Sequence, residues 1–186
     1  MPLQRNPDTA LCSRFLILAL LLFGAIAPVS NLHANNAAQH SKSIGFHNLH
    51  TGESLRITYW RNGQFVKSSL QQLNSLLRDH RRNEVADIDP RLFELLNTLR
   101  ESVGSTADFE VISGYRSPQT NQSLAEAGRQ VARKSQHILG KAIDIRLPGT
   151  SLETLHKAAV ALKLGGVGLY PENDFIHVDL GRVRYW

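Results

Sequence analysis

The sequence predicts an α+β fold, a small and mostly antiparallel sheet flanked by helices. Three observations predict it. Alternating apolar and polar residues open the region after residue 43, short strand-like runs return near residue 142 and beyond, and segments with helix-start signals lie between them.

From Ile44 to Val66 the pattern is β. Leu55, Ile57 and Tyr59 alternate with polar residues, and Asn62-Gly63 marks a tight hairpin turn. Two helices are expected next. Ser69 and Gln72 have capping-box spacing, with Leu70, Leu73 and Leu77 on one face. Asp89-Pro90 places a cap residue before a first-turn proline, and the apolar run Leu92 to Leu99 ends near Gly104. Phe109 to Ile112 reads as a strand, leading into the loop Ser113-Gly114-Tyr115-Arg116-Ser117-Pro118. A helix is expected from Gln119 to Ala132, a strand from Ala142 to Leu147, and a helix capped by Thr150 and Glu153 that runs to Gly165-Gly166. Val167 to Tyr170 and Phe175 to Leu180 then form a hairpin across Pro171-Glu172-Asn173.

The N-terminal segment sets the expected compartment. Arg5 and Arg14 precede the apolar run Phe15 to Ile26, too short for a stable bilayer anchor but suited to a signal-peptide core. Leu32-His33-Ala34 is the preferred cleavage site, ahead of Ala25-Ile26-Ala27, which Pro28 follows. The expected organisation is a signal peptide over 1–34, a polar leader over 35–43 and one catalytic domain over 44–186. Cleavage after Ala34 leaves 152 residues, enough to bury about two thirds of the unfolded surface in one core. Cys12, the single cysteine, is removed with the signal peptide, so disulfides and thiol catalysis are excluded from the mature chain. Loss of Arg5, Arg14 and Asp8 leaves 19 basic against 15 acidic residues. In an exported protein this balance suits an anionic wall polymer or a substrate carboxylate rather than nucleic acid. No membrane span is expected after cleavage.

His137, Asp144 and His177 carry the expected chemistry. In 142–147, Ile143, Ile145 and Leu147 share one strand face and Asp144 the other; in 175–180, Ile176, Val178 and Leu180 share one face and His177 the other. If the aliphatic faces are buried, Asp144 and His177 project together from the opposite side. His137 lies in the loop entering the first strand, and Gly140 permits a turn back toward that side. Two imidazoles and a carboxylate form a three-ligand set suited to one Zn2+ with a fourth position for water, whose pKa falls from 15.7 to about 7 on such an ion. Asp174 is the expected base, and Arg116 either pairs a substrate carboxylate or stabilises an oxyanion. Asp179 either orients a ligand histidine or pairs Arg146. His-Glu-x-x-His, Gly-x-Ser-x-Gly and Ser-x-x-Lys motifs are absent, and Gly165-Gly166-Val167-Gly168 lacks the later glycine of a dinucleotide loop.

Ser135-x-His137-x-x-Gly140-x-Ala142-x-Asp144 followed by Asp174-x-x-His177 resembles the zinc D-Ala-D-Ala metallopeptidase family, whose wider group includes lysostaphin-type enzymes and the hedgehog signalling domain. Asn48-Leu49-His50-Thr51-Gly52-Glu53, Ser113-Gly114-Tyr115-Arg116-Ser117 and the stretch from Gly165 to Trp186 resemble its exported murein endopeptidase K branch, formerly known only as a domain of unknown function. The resemblance implies a hedgehog/D-Ala-D-Ala-peptidase-like fold over about 44–186. It implies zinc ligands at His137, Asp144 and His177, a base at Asp174 and a substrate-binding Arg116. It also implies a zinc murein endopeptidase that cuts peptidoglycan cross-links, diaminopimelate–diaminopimelate links foremost, in the periplasm or cell wall, where an adaptor could recruit it. A D-Ala-D-Ala-type carboxypeptidase and a non-catalytic metal-bound wall-binding module are the alternatives.

Overall fold

The fold, a computed structural model, is described for residues 41–128 and 131–186. The expected signal peptide (1–34) and most of the leader (35–40) lie outside the described residues.

Strands β1 (Ser41–Asn48), β2 (Ser54–Arg61) and β3 (Gln64–Phe65) form an antiparallel meander. Asn62 and Gly63 both take positive φ, 50° and 84°, as a primed hairpin turn requires. The sheet reaches three residues into the expected polar leader, where Ser43 Oγ lies 2.9 Å from Thr58 Oγ1 across the strand pair. Helices α1 (Lys67–Leu76) and α2 (Arg91–Ser102) follow, then β4 (Phe109–Ser113), α3 (Pro118–Glu126), β5 (Ala142–Arg146), α4 (Leu152–Leu162), β6 (Gly166–Tyr170), β7 (Phe175–Asp179) and β8 (Arg184–Tyr185).

The strands join one sheet in the order β3-β2-β1-β4-β5-β7-β6-β8. The α+β class and the mostly antiparallel pairing match expectation; among the described residues only β1–β4 and β6–β8 run parallel. The expected small sheet is corrected to eight strands, because β1–β3 pair through β1 onto β4 instead of forming a separate hairpin.

Helices α1, α2 and α4 cover one face. Between them and the sheet, Phe46, Phe93 and Phe109 are fully buried, Phe46 lying 6.2 Å from Phe93 and 6.1 Å from Phe109 between ring centroids. Each such ring contributes roughly 1.5–3 kcal/mol by leaving water, and Phe93→Ala would cost about 3–5 kcal/mol once the cavity is counted. Ile143, Ile145, Ile176 and Val178 complete this core from β5 and β7, leaving the alternate residues of those strands for the other face.

Several helix ends differ from expectation. α1 starts at Lys67, so Ser69 lies inside it and is buried, and Gln72 Nε2 donates to the Ser68 carbonyl. The helix begins early because Val66 N is tied to the Tyr59 carbonyl, and the Val66 carbonyl then accepts from Ser69 and Leu70. α2 begins one residue beyond the expected cap-and-proline pair, yet Asp89 Oδ1 still accepts from Arg91 N at 3.1 Å. α3 is capped by Ser117 and ends at Glu126 instead of reaching Ala132; Gly128, at φ 73°, turns the chain, and Asn121 Nδ2 holds the returning Ala132 carbonyl. α4 is capped by Ser151 rather than Thr150, its Oγ accepting from Thr154 N at 3.2 Å. It ends at Leu162, before Gly165, whose missing side chain lets the backbone press against the Asp179 carbonyl.

Candidate metal centre

Strand register brings the first two site residues together. β5 and β7 are antiparallel neighbours in which Asp144 lies directly opposite His177. Period-two alternation sends both side chains away from the helices, as expected from the sequence, and both are nonetheless buried. His137 arrives from a single 3₁₀ turn, Gln136–Leu139, whose first free amide is capped by Ser135 Oγ. Gly140 ends the turn at φ 64°, and a Cβ there would fall 2.1 Å from the Asp87 carbonyl, so no other residue fits. Arg116 N donates to the His137 carbonyl at 3.3 Å, tying the turn to the loop after β4.

Three acceptor atoms converge. His177 Nδ1 is 2.8 Å from Asp144 Oδ1, His137 Nε2 is 3.3 Å from the same oxygen, and the two ring nitrogens are 3.2 Å apart. The outward nitrogens fix the tautomers. His137 Nδ1 donates to the Gly114 carbonyl at 2.7 Å, which leaves Nε2 with a lone pair. His177 Nε2 lies 2.8 Å from Asp179 Oδ2; donation there leaves the lone pair on Nδ1. Two imidazole lone pairs and a carboxylate oxygen aimed at one another repel unless a proton or a metal ion lies among them. Burial raises the Asp144 carboxyl pKa, but His137 and His177 outweigh it and hold the group ionised below the usual carboxylate range. Burial works against a charged His177 too, yet Asp144 and Asp179 raise its pKa above the ordinary value. The site is built around positive charge. Ligand atoms of all three residues lie within 4.8 Å of one another, a donor set that fits a divalent metal ion.

The other expected residues divide. Arg116 is buried in the cavity wall, with Nη2 3.8 Å from Asp144 Oδ2 and Nη1 donating to Asn121 Oδ1 at 3.3 Å. Its Nε has no hydrogen-bond partner. Asp79, fully enclosed, accepts from Ser117 N at 3.0 Å and Ser117 Oγ at 2.7 Å, which anchors the residue after Arg116. Asp174, in a left-handed turn position before β7, is exposed and accepts from Arg146 Nη1 at 3.0 Å. It borders a neighbouring cavity with Glu110 and Arg146 rather than the one containing the histidines. Asp179 meets His177 and Arg184 and not Arg146, which pairs with Glu110 and Asp174.

A cavity of about 360 Å³ opens over the three acceptors, and its wall includes Arg116, Lys134, Tyr170, Phe175, Arg184 and Trp186. Arg116 and Lys134 stand beside the ionised Asp144, and Arg184 is paired with Asp179, which leaves a net positive wall that suits anionic groups. Tyr170 and Phe175 stack at 4.6 Å, and Trp186 Nε1 donates to Tyr170 Oη at 2.9 Å. Arg184, Trp186 and the Gly114 carbonyl were not expected from the sequence. The signal available was weak: Arg184 and Trp186 are spaced by two, as on one strand face, but the strand they border has only two residues and pairs parallel to a distant segment.

Residues 36–186 match the family model described as peptidoglycan L,D-endopeptidase MepK. The chain is 36% identical over 173 residues to the peptidoglycan L,D-endopeptidase MepK of Escherichia coli strain K12, covering 93% of this chain and 95% of the relative. The Shigella flexneri protein of the same name matches at the same identity and coverage. A probable peptidoglycan L,D-endopeptidase MepK of Haemophilus influenzae is 43% identical over 144 residues, 77% of each chain.

Proposed function

The chain belongs to the peptidoglycan L,D-endopeptidase MepK family, and from that premise we propose that it is a zinc endopeptidase hydrolysing L,D peptide bonds in peptidoglycan cross-links. Links between two diaminopimelate residues are the leading substrate. The observation that carries the reading is the convergence of His137 Nε2, His177 Nδ1 and Asp144 Oδ1 beneath a cation-lined cavity. The fold implied by this membership is of the hedgehog/D-Ala-D-Ala-peptidase type, with the domain expected over 44–186 extended at least to Ser41, where β1 begins. Peptidoglycan lies outside the cytoplasmic membrane, which agrees with a signal peptide over 1–34 and a periplasmic or wall location. Among the described residues no helix is long and apolar enough to cross a membrane.

In this reading His137, Asp144 and His177 hold one zinc ion. When bound, the ion supplies Lewis acidity that lowers the pKa of a water toward about 7. Asp174, its exposed carboxylate paired with Arg146, would take the proton of the attacking water and return it to the leaving amine. Arg116, which lines the cavity, donates from its guanidinium to a substrate carbonyl or carboxylate; enclosed in the wall, it loses little entropy on doing so. Lys134 attracts a carboxylate that flanks the scissile bond.

The test is digestion of purified peptidoglycan by zinc-loaded protein, with fragments identified by mass. Loss of cross-linked dimers with matching gain of monomers supports the endopeptidase, and the dimer type that survives names the bond. Trimming of terminal D-Ala alone would replace this reading with a carboxypeptidase. Binding without any product would replace it with a wall-binding module.

A further inference from the structure

Asp179 is the most completely enclosed carboxylate near the metal centre, with no exposed surface. Its Oδ2 accepts from His177 Nε2 at 2.8 Å and from Arg184 Nη2 at 2.7 Å; its Oδ1 accepts from Gly181 N at 2.7 Å and Arg184 Nη1 at 3.1 Å. The guanidinium thus grips both oxygens with two parallel donors, a geometry that fixes the carboxylate plane as well as its position. A single ammonium would leave that plane free to rotate.

The sheet is shaped to receive this arginine. A Cβ at residue 166 would fall 2.4 Å from Arg184 Nη1 and 2.6 Å from Asp179 Oδ2, so Gly166 leaves the space in which the pair lies. Gly168 does the same for Trp186, whose ring a Cβ would approach to 2.6 Å. Trp186 in turn stacks over Arg184, with Cζ 4.9 Å from the ring centroid, and stands 5.2 Å from the His177 ring. Gly166 and Gly168 therefore form a berth in β6 for side chains delivered by the C-terminal segment.

We propose that Arg184 is a positioning residue of the metal centre: by gripping Asp179 it holds the His177 ring so that Nδ1 faces His137 and Asp144. The proposal rests on the metal reading above. Outer partners of metal-bound imidazoles orient the ring and raise its basicity, and their loss typically weakens metal binding about 10–100-fold. A merely structural ion pair would change stability and leave metal binding alone.

The experiment compares wild type with Arg184→Gln and Arg184→Lys. Zinc affinity is measured by competition with a chromophoric chelator, the visible spectrum of the cobalt(II) form is recorded, and melting of the metal-free proteins is followed. Arg184→Gln is expected to lower zinc affinity by roughly ten- to a hundredfold and to shift the cobalt bands. Arg184→Lys, which keeps the charge but not the fork, should recover only part of both and serves alone if the glutamine variant does not fold. Wild-type zinc affinity and an unchanged cobalt spectrum in either folded variant would overturn the proposal, whatever happens to the melting temperature. Failure of the wild type itself to bind zinc or cobalt would instead overturn the metal reading, and this proposal with it.

Discussion

Asp174 and Arg146 form an ion pair at the rim of the face that carries Asp144, Asp174 Oδ2 accepting from Arg146 Nη1 at 3.0 Å. The Asp174 side chain is 63% exposed, and a pair that open contributes at most about 1 kcal/mol. The contact stations the carboxylate without trapping it. Asp174→Ala should therefore reduce turnover by about 10²–10⁴-fold with bound zinc unchanged, whereas Arg146→Gln should change turnover by no more than about fivefold. Turnover on isolated cross-linked muropeptides, with metal content from the same preparations, checks both. Equal losses in the two variants would show that the ion pair, and not the Asp174 carboxylate by itself, carries the effect.

Zinc should raise the melting temperature of the metal-free protein. At a hundredfold excess over the dissociation constant the linkage amounts to about 2.7 kcal/mol. His137→Ala and Asp144→Ala should each abolish the rise, because two protein ligands hold the ion far less tightly than three. Calorimetry with added zinc, reversed by chelator, measures it; a full rise in His137→Ala would remove that residue from the ligand set.

Arg116→Lys is a sharper test than removal of the side chain. Lysine keeps the charge but lacks the Nε donor and the planar fork. Loss of one charge-assisted hydrogen bond is worth roughly 1.5–3 kcal/mol, so kcat/KM should fall about ten- to a hundredfold with zinc affinity held. Steady-state kinetics on a defined cross-linked dimer decides it, and an unchanged kcat/KM would assign Arg116 to structure alone.

Asp79 supports the catalytic wall from beneath. Burial raises its pKa, but hydrogen bonds from Thr120, Ser117 and Arg81 outweigh that and depress it below the ordinary carboxylate value. A depressed carboxyl stabilises the fold fully above its unfolded pKa of about 3.9, and that stability is lost as pH falls through the lower folded value. Asp79→Asn should cost about 1–3 kcal/mol at pH 7, and its deficit relative to wild type should shrink in strongly acid solution. Urea titrations at the two pH values make the comparison; a deficit independent of pH would show that the charge plays no part.

The half of the site built on strands was legible in the sequence. Ile143, Ile145, Ile176 and Val178 announce a buried face, and Asp144 and His177 follow by alternation on the other. Gly140 signalled the turn that returns His137. The support around these residues was not legible. The Gly114 carbonyl is a backbone group without a residue-type signature, and Arg184 meets Asp179 through a two-residue parallel strand too short to show a period. Helix ends were misplaced for a related reason. At Val66 and Gly165 the boundary is set by contacts with Tyr59 and Asp179, which local propensity does not contain. The extent of the sheet depended on the parallel joining of β1 to β4, a pairing across sixty residues of intervening chain.

The facing of Asp144 and His177 across one antiparallel pair also has a meaning for how the molecule matures. Side chains on a strand alternate, so a slip of β7 by one residue would place Ile176 opposite Asp144 and turn the imidazole into the apolar layer. Only the correct register of β5 against β7 offers both donors to the same point. An ion bound there would reward the right register and no other, and would so act as a proofreader of the strand pairing on which the catalyst depends.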